Sequence, residues 1–106
     1  MMKKQTPETA IKKQIKDWLS LNNWFHFQYP AGVMGYKGAP DRIAIKKGIV
    51  LFIEVKAEKG KQSEDQIKFE NNITEHGGYY VLVRNYKDLE KYINTFLFRI
   101  WRKYDE

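Results

Sequence analysis

Two carboxylates and a lysine stand at a spacing that a tight hairpin would close. Asp41 ends the run Gly38-Ala39-Pro40-Asp41, and Glu54-Val55-Lys56 begins thirteen residues later. Between them, Ile43 to Ile45 read as strand, Lys47-Gly48 as a turn, and Ile49 to Val55 as a nearly continuous β-branched and aromatic strand. A two-residue turn at Lys47-Gly48 makes the numbers of opposed residues sum to 95, so Lys46 faces Ile49 and Asp41 faces Glu54. A four-residue loop keeps that pairing, whereas a three-residue loop sets Asp41 against Ile53. Opposed residues share a face with Cβ atoms about 5 Å apart, and Lys56, two positions on, joins that face. Like charges held so close require something cationic between them. A divalent metal ion with a neighbouring lysine meets that need, which makes the trio a candidate nuclease centre.

The remaining elements must carry this hairpin. A first helix is expected with Thr6 as N-cap and Pro7 at the first helical position, its inner face marked by Ile11, Ile15, Trp18 and Leu19. Glu8 falls in the same stripe, one turn before Ile11. Two readings of it stand: an acid favoured by the helix dipole, or an acid reaching past the core edge into the site. Trp24 to Tyr29 read as a short strand, and Pro30 to Gly38 as a glycine-rich loop. That loop matches no phosphate-binding fingerprint. It is either a plain connector or a segment whose Tyr36 and Lys37 close on a nucleic-acid backbone.

Ile49 to Val55 is apolar on both faces, as suits a central strand covered on both sides. Ser63-Glu64-Asp65-Gln66 has the form of a capping box opening a second helix. Gln66, Phe69 and Ile73 share a face of that helix, which stops at Gly77-Gly78. Tyr79 to Val83 is a further strand, reached by a helical crossover and hence parallel to its neighbour. A last helix, over about 86–103, starts near Asn85 or Tyr86. Its apolar residues Leu89, Tyr92, Ile93, Phe96, Leu97, Ile100, Trp101 and Tyr104 span roughly half the circumference, with Phe98 on the far side. So wide a stripe suggests a second contact surface and predicts a homodimer.

The length of 106 residues fits a single domain over 1–106, with no internal repeat or linker. No apolar run reaches the roughly 20 residues of a membrane span, the N-terminus does not read as a signal peptide, and the absence of cysteine excludes disulfides and thiolate metal sites. These features suit an intracellular, cytoplasmic setting. The net charge of +6 favours a polyanionic partner. From Lys37 to Lys61, seven basic residues stand against three acids, so much of that charge surrounds the paired carboxylates. Charge alone would equally describe a lysine-rich soluble surface. His26 and His76 are isolated and read as satisfied histidines, not ligands.

With helix, three-strand meander, helix, strand and helix in order, the chain resembles the PD-(D/E)xK nuclease superfamily, and within it the stand-alone virus-type replication-repair nuclease (VRR-NUC) domain. The residues that carry the resemblance are Gly38-Ala39-Pro40-Asp41, Glu54-Val55-Lys56, the Gly60-Lys61-Gln62-Ser63 loop and Gln66, and Glu8 matches the acid of the family's first helix. It covers about residues 6–93. Some branches place a tyrosine four residues after the helix glutamine; here that residue is Glu70, which argues against those helicase-linked branches.

The resemblance implies an α/β restriction-endonuclease-like core, α-β-β-β-α-β-α, with a central mixed sheet flanked by helices. It implies a Mg²⁺- or Mn²⁺-dependent DNA endonuclease leaving 5′-phosphate ends, with Asp41, Glu54 and the Val55 backbone carbonyl as metal ligands and Glu8 completing the coordination through water. Lys56 would orient or deprotonate the attacking water or neutralise developing charge, and Gln66 would position the water or the lysine. DNA contacts are expected from Lys37, Arg42, Lys59 and Lys61. Branched DNA such as a Holliday junction is an expected substrate, in replication, repair or recombination, and a phage or viral origin is in keeping with the family. Two other readings remain. One is a non-catalytic nucleic-acid-binding module on a nuclease-like fold, although binding alone needs cations and not paired acids. The other is a structural domain whose charges are merely solvated, which would show no affinity for DNA at low salt.

Overall fold

The computed structural model describes residues 6–30 and 35–105, with side chains as far as residue 103. The expected loop residues 31–34 and the Tyr104 side chain lie outside the described residues. The elements are helix α1 (Glu8–Leu21), strands β1 (Phe25–Gln28), β2 (Arg42–Lys46) and β3 (Ile49–Val55), helix α2 (Glu64–Glu75), strand β4 (Tyr79–Val83), and helices α3 (Tyr86–Tyr92) and α4 (Phe98–Asp105) joined by a π-helical stretch, Ile93–Leu97. The sheet runs β1-β2-β3-β4, with β1/β2 and β2/β3 antiparallel and β3/β4 parallel. It is the expected mixed sheet flanked by helices.

The hairpin register follows the turn. Lys47 and Gly48 have φ of 47° and 81°, the two left-handed residues of a two-residue type I′ hairpin turn, and Lys46 pairs with Ile49 and Arg42 with Ile53. Helix α1 starts one residue later than expected. Pro7, not Thr6, is the N-cap, with ψ of 149° and no side-chain cap. That extended ψ holds Pro7 outside the helix, while its carbonyl accepts from Ala10 N and Ile11 N.

Ile11, Ile15 and Leu19 of α1 pack on one sheet face with Ala44, Leu51, Ile53, Val55, Val81 and Val83. The other face is covered only in part. Phe69 of α2 sits 5.8 Å from Phe52 and 6.5 Å from Tyr80 between ring centroids, so α2 shields the β3/β4 half. Phe25, Phe27 and Val50 stay exposed. β3 is thus covered on both sides over most of its length, as expected, while one helix about 10 Å across leaves Val50 and the β1 edge open.

The C-terminal rod explains its wide stripe. Leu89, Ile93, Leu97 and Trp101 are buried, with Trp101 5.5 Å from Trp24. Residues four apart drift by about 40° per step around an α-helix, and the wider π turn returns them to one face. Most of the stripe therefore packs inside the chain itself, leaving Phe96 and Phe98 exposed.

Candidate metal centre and nucleic-acid cleft

Asp41 and Glu54 meet where β2 begins and β3 ends. Asp41 lies just before the first residue of β2, and its carbonyl accepts from Tyr29 N at 3.0 Å, which continues the β1/β2 ladder by one step. Its Oδ2 accepts from Val55 N at 2.7 Å. Its Oδ1 lies 3.1 Å from Lys12 Nζ. The Asp41 and Glu54 side chains are close enough to shift each other's ionisation, and two carboxylates so placed are favoured when one of them carries a proton.

Burial decides which one does. Glu54 is only 2% exposed, the one buried charged residue among those described. Burial first, then the Asp41 carboxyl and the charges of Asp41 and Glu8, push its pKa up to about 8, with Lys56 pulling the other way. Burial also acts to raise Asp41, but it is outweighed by the hydrogen bonds from Glu54, Val55 N–H and Lys12, and Asp41 is held below its ordinary value. The pair is thus split into a proton-holding and an ionised carboxyl. Lys56 Nζ stands 4.0 Å from Glu54 Oε1, largely buried. Glu54 Oε2 is buried and has no hydrogen-bond partner among the described residues.

The oxygen donors fit a hard dication. Two carboxylates, one with an orphaned buried oxygen, are what Mg²⁺ or Mn²⁺ takes from a protein when water and phosphate fill the rest of its shell. Val55 N–H faces Asp41, and in an extended strand a residue's carbonyl points to the same edge as its N–H, so the Val55 carbonyl faces the same side. Glu8 does not join the pair: no group of three or more acidic or histidine side chains within metal-holding reach occurs among the described residues. Glu8 instead lies 3.6 Å from Lys12, one helical turn on. Lys12 is not singled out by sequence. Its only signal there is its position four residues after Glu8, beside the inward stripe.

A cleft of about 550 Å³ opens beside the pair, lined among others by Lys12, Tyr36, Lys37, Asp41, Asp65 and Gln66. The expected capping box orients Gln66: its Oε1 accepts from Ser63 N at 2.8 Å, and Ser63 Oγ accepts from Gln66 N. With the carbonyl so used, the Gln66 amide presents donors, suited to a phosphate or water oxygen. Gly38 docks the loop before Asp41 onto this helix start. Its φ is +80°, and a Cβ there would lie 2.2 Å from the Asp65 carbonyl oxygen, so only glycine fits. Glu70 is engaged elsewhere, accepting from Gln62 Nε2 at 3.2 Å.

The expected DNA-binding cations divide. Lys37 stands at the cleft, exposed and 3.4 Å from Asp65 Oδ2. Lys59 and Lys61 are exposed on the loop after β3, whose Ala57, Glu58 and Gly60 carbonyls all accept from Arg84 Nη1. Arg42 is engaged by a histidine: it lies 2.9 Å from His26 Nδ1, while His26 Nε2 meets Ser20 Oγ at 2.8 Å. His26 is therefore satisfied, as expected, and His76 likewise bonds the Asn72 carbonyl. Burial, then Arg42 and Lys16, lower the His26 pKa.

No family model and no curated protein matches this sequence. Among solved structures, one described as a "VRR_NUC domain" superposes with a TM-score of 0.72 at 23% identity, covering 84% of this chain and 96% of that one. With its mixed sheet, its crossover helix and the Asp41–Glu54 pair at the strand ends, this chain is built on the VRR_NUC domain fold.

Proposed function

We propose that the protein is a metal-dependent DNA endonuclease whose centre is Asp41, Glu54 and Lys56. The observation that carries this reading is the buried Glu54 carboxyl, opposed to Asp41 with one oxygen left without a partner among the described residues. Two carboxylates held together are unfavourable in any structural role, and burying one without a cation is costly. A hydrolytic centre for phosphodiesters accounts for both.

Asp41 and Glu54, with the Val55 carbonyl, would hold Mg²⁺ or Mn²⁺. When bound, the ion lowers the pKa of a water and offsets charge on the scissile phosphate. Lys56 reaches Glu54 within 4.0 Å, close enough to orient the attacking water and to neutralise charge as it develops. Gln66 donates from its amide to a phosphate or water oxygen in the cleft. Lys37, Lys59 and Lys61 bind the DNA backbone, a sequence-independent role. Glu8 acts on the site through its charge and through Lys12.

The test is cleavage of supercoiled plasmid, linear duplex and a four-way junction with Mg²⁺, Mn²⁺ or EDTA. Cutting with either metal and none in EDTA is expected, and faster cutting of the junction would mark branched DNA as the substrate. Tight binding without cutting under every metal would overturn the catalytic reading in favour of a nucleic-acid-binding module.

A further inference from the structure

Two lysines approach the carboxylate pair, and they are held very differently. Lys56 is 16% exposed along its side chain and comes off the end of a buried strand. Lys12 is 41% exposed and comes off the surface of α1. Its Nζ lies 3.1 Å from Asp41 Oδ1 and 3.6 Å from Glu8 Oε2. Since Val55 N–H takes Asp41 Oδ2, both Asp41 oxygens are engaged. A divalent ion about 2.1 Å from Oδ1 would meet an ammonium already bound to that oxygen. Lys12 has somewhere to go, because Glu8 sits one helical turn away on the same helix and its half-exposed stem can pivot without disturbing the core.

We propose that Lys12 is a built-in counter-ion of the metal-free centre, which a divalent cation must displace from Asp41 in order to bind. This rests on the reading of Asp41 and Glu54 as metal ligands and adds a competitor to it. Glu8, 3.6 Å from Lys12 Nζ, then receives the displaced ammonium. Removing the competitor should tighten metal binding even though it also removes a charge that would hold DNA. A role for Lys12 in folding alone would not produce that sign.

The test is titration of the full chain with Mn²⁺, without DNA, by calorimetry at low ionic strength. Wild type is compared with Lys12→Met, Lys12→Arg and, as a control for net charge, Lys13→Met, whose lysine is exposed and paired with Asp17 at 2.9 Å. Lys12→Met should bind Mn²⁺ roughly three- to tenfold more tightly, the scale of a partly exposed ion pair in low salt. Lys12→Arg and Lys13→Met should stay within about twofold of wild type. Folded Lys12→Met with unchanged or weaker Mn²⁺ affinity, while wild type binds, overturns the displacement. If no variant and not even the wild type binds Mn²⁺, the metal-centre reading itself fails, and the displacement with it.

Discussion

At the scale of single residues, the Asp41–Glu54 pair makes stability depend on pH in a direction opposite to that of most carboxylates. The folded-state pKa of Glu54, about 8, lies above its ordinary value of 4.5. Its contribution to stability is therefore fully present below about pH 4.5 and is lost as pH rises through about 8. Metal-free protein should accordingly show a falling Tm between pH 5 and pH 8. Excess Mg²⁺ should flatten that slope, because the ion replaces the proton between the carboxylates, and Glu54→Gln should abolish it. Because the lowered pKa of His26 acts in the opposite sense below about pH 6.5, the deciding comparison is with Glu54→Gln: equal slopes for that variant and wild type would mean that Glu54 is ionised in the folded protein. Asp41, Glu54 and Lys56 were legible in the sequence because a two-residue turn and a period of two fix their common face. Lys12 was not, since a lysine near a hydrophobic stripe is ordinarily solvated, and only the strand ends' position against α1 gives it a partner. The placement of Gln66 was half legible: the capping box was visible, but not that the box uses its carbonyl and leaves its amide at the cleft.

At the scale of elements, the site depends on register. Lys47 and Gly48, both with positive φ, set the pairing that continues to Asp41 and Glu54. One alanine inserted between them forces a slip or a bulge. The expected result is a chain that still folds, judged by circular dichroism, with cleavage reduced by more than about 100-fold through loss of metal-site geometry. Full activity in the folded insertion variant would contradict the dependence on register. The strands, the crossover and the capped helix were readable from local pattern, since each is set by neighbours in sequence. The π-helical stretch at Ile93–Leu97 was not, because it is selected by packing: Leu89, Ile93, Leu97 and Trp101 stay on one face only if the helix locally widens. The broad stripe that suggested a dimer is largely this intramolecular packing. The start of α1 shifted by one residue because Pro7 took an extended ψ, a choice that Thr6-Pro7 leaves open.

At the scale of the whole molecule, the chain carries a net charge of +6, and the cleft beside the carboxylates is lined by Lys12 and Lys37 as well as by Asp41 and Asp65. On the proposed reading, the exposed cations would bind the backbone of a polyanion. Binding to a duplex in EDTA should weaken linearly in log–log salt. Lys59→Ala combined with Lys61→Ala should lower the slope by about two without altering sequence preference, because backbone contacts carry no sequence information. An unchanged slope would remove that loop from the interface. Among the described residues no helix is long and apolar enough to cross a membrane.

The measurement that bears most directly on Asp41 and Glu54 as a metal-dependent hydrolytic pair is the single-turnover cleavage rate, at saturating Mn²⁺, of wild type against folded Asp41→Asn. Asparagine keeps the shape and removes the charge that a dication needs. A fall of more than about 100-fold is expected. Undiminished cleavage by folded Asp41→Asn would contradict the centre proposed for this protein.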